Sequence, residues 1–257
     1  IAPVTDRTLI CQPRERILRW SEGFRWVDPI HEHVLPAGRD TFDSSTCAIL
    51  HSFWIEHSPV QSEEDKRVRD WNVLRHMLPQ TETSWRAAHY VAENLAAEDR
   101  LDESFAMFDR AIALAQFDQD ANTTLYVAFR TALRAKRHEL AQGYATALYM
   151  RSPERLEALS AQVMIFCTLK DQARAIYWYE RYLAATKRAP GTRSLFGHEA
   201  LFMPHAIGAE LLLSVGRYAD AEAAARAALD YEPRDEHVAG LRDSARRMHE
   251  QVAAREH

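Results

Sequence analysis

From Ser84 onward this chain repeats one pattern so regularly that stacked helices are the arrangement it favours. Gly is sparse there, Ala is abundant, and apolar residues return at helical spacing. Four times a small lead residue is followed by a small or bulky one four positions later and by another three further on. The sets are Ser104, Phe108 and Ala111; Ala141, Ala145 and Leu148; Ala175, Tyr179 and Tyr182; and Ala221, Ala225 and Ala228. Steps of four and then three place each set on one face of a helix. The lead positions lie 37, 34 and 46 residues apart.

A period near 34 is that of the tetratricopeptide repeat, whose units are helix pairs in which small residues let the two helices cross closely. The last unit carries the expected punctuation: Gly216 at the turn between its helices, Tyr218 at the start of the second and Pro233 beyond its end. The other units lack that Gly and read as degenerate repeats. The extra length before the fourth unit is filled by KRAPGTRSLFGHEALF, where Pro190 and Gly191 mark a turn and Phe196 and Phe202 are placed to pack on a neighbour. The lone Asp-x-Asp, at Asp118 and Asp120, falls between repeat helices and reads as a capping turn. No Gly-rich phosphate loop is present.

Composition narrows the function classes. The chain is 47% apolar and 27% charged, an ordinary soluble balance. A net charge of -5 gives no global attraction to nucleic acid or an anionic membrane, so neither is expected as a partner. Cys11, Cys47 and Cys167 are too scattered for a disulfide framework or a thiolate zinc site, which favours a reducing compartment. No apolar run approaches the length of a spanning helix and no signal peptide opens the chain, so the expected location is the cytoplasm. His31, His33, His51, His57 and His76 lack the paired helical spacing of zinc hydrolases. Ile1 is not an initiator Met, and about 75 residues of mixed character ahead of the array make a thin core on their own, so a further upstream part is expected.

That opening region differs from the array. Thr46 to Ile55, TCAILHSFWI, is rich in β-branched and aromatic residues and reads as a buried strand; Leu18, Trp20, Phe24 and Trp26 point to aromatic packing on a sheet. A helix then follows Ser62, with acids first and basic residues later, as the helix dipole favours. The order RILRWSEGFRW, PIHEH, ILHSFW and DKRVRDWNVLRHML, followed by the repeats, resembles the back half of family 2 glycosyltransferases over about Arg14 to Leu114.

The resemblance implies a fold and a set of roles. The fold is mainly α: residues 1–78 form the end of a GT-A nucleotide-sugar domain, a short α/β segment, and residues 79–257 a tetratricopeptide-like solenoid. Glu32 would be the base of an inverting transfer, and His51 a ligand of a divalent cation, Mn or Mg, on the donor diphosphate. Lys66 and Arg69, three apart on one helix face, would contact that diphosphate. The implied partners are a nucleotide-sugar donor and a protein or peptide acceptor, with a homodimer possible through the repeats. Read without the resemblance, Glu32 is a loop acid, His51 a core histidine, and Lys66 and Arg69 a solvated face beside Glu63, Glu64 and Asp65. The alternative function is a non-catalytic tetratricopeptide-like module that binds a protein segment.

Overall fold

A computed structural model describes residues 24–27, 33–36, 71–72, 74–188 and 198–256. They fall into two compact units that part between Leu114 and Ala115.

In the first unit, strands β1 (Phe24–Val27) and β2 (His33–Pro36) pair antiparallel, with Phe24 opposite Pro36 and Val27 opposite His33. A 3-10 stretch, Arg75–Glu82, leads into helices α1 (Trp85–Ala97) and α2 (Leu101–Leu114). Ser84 caps α1, its hydroxyl accepting from the Ala87 amide at 3.3 Å, which satisfies one of the donors a helix start leaves unpaired. Buried Leu74, Ala87, Val91 and Leu95 form a small core against Trp71, Tyr90 and Met107. Where α1 and α2 cross, the lead residue Ser104 is fully buried and donates to the Ala92 carbonyl at 2.7 Å, so its hydroxyl is not left unsatisfied. An Arg110–Glu82 ion pair ties α2 to the 3-10 stretch.

The second unit consists of three helix pairs and a terminal helix: α3 (Asp118–Arg134) with α4 (His138–Arg151), α5 (Leu156–Thr168) with α6 (Gln172–Arg188), α7 (Met203–Ser214) with α8 (Tyr218–Leu229), and α9 (Glu236–Glu256). All twelve residues of the sequence pattern are at most 1% exposed, and each set lies on the second helix of its pair. Asp118 and Asp120 sit in the first turn of α3, where negative charge suits the helix dipole, and Asp118 pairs with Arg151 at 3.0 Å.

The turns inside the pairs are alike despite their sequences. Asp99, Lys136, Lys170 and Gly216 each have φ near +60 to +80° and each stands five residues before its lead residue. In every case the amide of the next residue reaches back five positions. Arg100 donates to Leu95, Arg137 to Ala132, Asp171 to Phe166 and Arg217 to Leu212, all at 2.9 Å. This is the Schellman closure, which satisfies carbonyls the first helix would otherwise leave open. Its left-handed residue is a Gly in the last unit alone. The missing glycines therefore do not mark a degenerate turn; Asp and Lys accept a strained backbone there instead.

Successive pairs interlock by trading bulk. Where α4 offers only Ala145, α5 supplies the long Gln162, which donates to the Ala145 carbonyl at 3.0 Å. Where α6 offers Tyr179, α7 recedes to Gly208. A Cβ on Gly208 would meet the Tyr179 ring at 2.4–2.6 Å, so the ring rests on bare backbone. Within the insertion, Phe196 lies outside the described residues, while Phe202 is buried at the end of a π-helical stretch, His198–Phe202. The Tyr182 hydroxyl anchors that stretch by donating to the Ala200 carbonyl at 3.0 Å.

Candidate interaction surfaces

Glu32, His51, Lys66 and Arg69, and with them the divalent-cation site, lie outside the described residues. Among the described residues, the chemistry that the structure gathers is of two kinds: a buried aromatic and histidine cluster, and surfaces along the helix pairs.

The cluster lies between α6, α7 and the turn after α8. Tyr179 Oη and His205 Nδ1 are hydrogen-bonded at 3.0 Å; His205 meets Tyr179 and Tyr182 edge-on and stacks on Tyr231 at 6.3 Å. Burial pushes the imidazole down to about 4, opposed by the nearby Asp230 carboxylate, so the ring is neutral at pH 7. Burial likewise pushes the Tyr179 and Tyr182 hydroxyls up, and both remain protonated. The cluster is thus polar but uncharged at pH 7. Periodicity signalled the two tyrosines, but nothing in the sequence marked His205.

Two shallow clefts open on the surface. One, of about 260 Å³, is lined by the Gly216–Asp220 turn together with His249 and Val252 of α9. The other, of about 250 Å³, is lined by Cys167, Lys170, Gln172 and Leu211. Burial and the Glu210 carboxylate push the Cys167 thiol up, which disfavours the reactive thiolate.

An aromatic surface patch lies elsewhere, across the second helices α4 and α6. The Tyr149 and Trp178 rings meet edge-on at 4.7 Å, and Tyr177 and Trp178 at 5.3 Å. The Arg181 guanidinium lies over all three, 5.7–6.0 Å from the ring centres. Tyr149 and Trp178 have their inner edges against the core, whereas Tyr177 is 51% and Met150 76% exposed.

No protein-family model matches the sequence, and no curated protein matches it. Solved structures do match the fold. Pseudomonas aeruginosa pilF superposes with a TM-score of 0.55 at 17% identity, over 74% of this chain and 84% of that one. Yeast Tom70 gives 0.54 at 16% identity over 76% of this chain, which spans 38% of the Tom70 chain. A tetratricopeptide repeat protein from Parabacteroides merdae gives 0.51 at 17% identity, over 75% and 70%. The array is a tetratricopeptide-type solenoid. At such identities the likeness establishes the fold and carries no partner or activity with it.

The resemblance to family 2 glycosyltransferases, and the sugar transfer read from it, are corrected by these comparisons. The matching structures are repeat proteins, and none points to a GT-A domain. The resemblance ran as far as Leu114, yet Trp85 to Leu114 form the first helix pair of the array. Of the α/β segment expected ahead of the array, the described residues show a two-stranded antiparallel ribbon. The physical reason is that short strings of His, Lys and aromatic residues recur on unrelated folds, whereas the helix-pair period extends through the whole second half. No helix among the described residues is long and apolar enough to cross a membrane.

Proposed function

We propose that this chain is a protein-interaction module that binds a segment of a partner protein on its helix-pair array. The observation that supports this reading is the stack itself. Each pair spends its small residues on close crossing and leaves its remaining helix faces outward, the kind of surface that repeat arrays use for recognition. Partly buried apolar side chains such as Met164 on α5 and Ile207 on α7 add contact area to that surface. Ile207 packs against the core behind it, so it requires little ordering on binding.

The test is selection of a phage-displayed library of random twelve-residue peptides on the full chain, with binding of the enriched peptides measured by fluorescence anisotropy. The expected result is an enriched pool whose members bind in the micromolar range, about -8 kcal/mol, equally with and without EDTA. A library that enriches nothing over an empty support overturns the reading.

A further inference from the structure

We infer that the Tyr149, Tyr177, Trp178 and Arg181 patch on the second helices α4 and α6 is a docking site for a protein segment that presents a carboxylate flanked by apolar side chains. This rests on the interaction reading above and specifies where one partner is held and by what chemistry.

Charge decides the occupant. Three arginines on or beside α6 are matched: Arg188 pairs with Glu154 at 2.8 Å, Arg217 with Glu180, and Arg174 with Asp171 at 2.6 Å. Arg181 makes no ion pair among the described residues. Its Nη1 reaches only the Tyr177 hydroxyl, at 3.4 Å, and its Nη2, which is not among the buried atoms, donates to nothing among the described residues; the Nε is buried and out of a ligand's reach. Glu154 is near enough for its charge to act on Arg181, but its oxygen is held by Arg188. A guanidinium is a rigid fork of five donors matched to a carboxylate. Here it is positioned by three π-faces and keeps donors unspent, so an incoming carboxylate completes it without breaking an existing pair.

The surroundings decide what flanks that carboxylate. Tyr149 and Trp178 are fixed by the core behind them, so they present flat apolar area with few rotamers left to freeze. Tyr177 and Met150 extend the patch outward, and Met adapts to irregular apolar partners. Tyr, Trp and Arg are the residue types that dominate binding energy in protein interfaces, most of all where they cluster.

The experiment uses the enriched peptides from the library selection, measured against the full chain, Arg181→Ala, Arg181→Glu and Tyr177→Ala, with circular dichroism confirming that each variant is folded. The expected pool contains Asp or Glu beside aromatic or aliphatic residues. Its members lose tenfold or more in affinity for Arg181→Ala, more again for Arg181→Glu, and several-fold for Tyr177→Ala. Replacing the peptide's acid by its amide matches the Arg181→Ala loss. Peptides that bind wild type and both Arg181 variants equally overturn this site while leaving the interaction reading intact. An empty selection overturns both.

Discussion

His205 shows what a single buried residue can impose on the whole. The folded chain keeps its ring neutral down to about pH 4, because burial penalises the cation, whereas the unfolded ring takes its proton near 6.5. Between those values the unfolded chain holds the extra proton. Stability from this group is therefore fully present above pH 6.5 and is lost as pH falls toward 4. At about 1.4 kcal/mol per unit the loss reaches about 3 kcal/mol. Urea midpoints followed from pH 7 to 4.5 should fall steeply for the wild type and more gently for His205→Phe. Parallel slopes would mean that the ring is solvated in the fold. This residue was invisible in the sequence because a lone His among Met203, Pro204 and Ala206 has no spacing to mark it; its character is set by Tyr179, Tyr182 and Tyr231, which reach it only after the pairs stack.

Elements were legible wherever one helix face determined them. All four triplet sets, from Ser104 to Ala228, landed on buried crossing faces because a helix dictates that geometry locally. The turns were legible once, at Gly216, and concealed at Asp99, Lys136 and Lys170, where backbone hydrogen bonds enforce a conformation those side chains do not prefer. The interlock between pairs was not legible, because Gly208 reads as a weak point in an apolar helix until Tyr179 is placed against it. Gly208→Ala is expected to destabilise by about 1–3 kcal/mol through overpacking, despite the better helix propensity of Ala. Tyr179→Leu should lose stability through its cavity and its hydrogen bond to His205. Combined, the two changes should cost less than their sum, since the smaller side chain makes room for the methyl. Strict additivity in chemical denaturation would show that the two sites do not touch. The opening region gave no comparable signal: its short motifs implied a catalytic site at Glu32, His51, Lys66 and Arg69 that falls outside the described residues, and the comparisons point to repeat proteins and not to the family that motivated it.

At the scale of the molecule, each helix pair leaves a hydrophobic face that the next element covers. Helix α9 covers that of α7 and α8 with its first half: Val238 and Ala245 are buried in the shared core, and Leu241 packs alongside. Arg246 to Ala254 are exposed throughout, and of them His249 and Val252 only border the shallow cleft at the Gly216–Asp220 turn, so the second half buries no side chain. Ending the chain after Ala245 should shift unfolding free energy by no more than about 0.5 kcal/mol, the range of surface changes. Ending it after Asp235 uncovers Ala224 and Ala228 and should remove more than about 2 kcal/mol. Equal losses in urea titrations would show that the exposed half of α9 is structural.

The four Schellman turns also govern how this chain can be cut. Lys136 and Lys170 are exposed, yet each is curled in a left-handed residue between two helices and held by its neighbour's amide bond. A protease active site needs a stretch of several extended residues, which neither turn can offer while both flanking helices persist. Scission by trypsin after these lysines is therefore a measure of how often a helix pair comes apart, not of how accessible the lysines are.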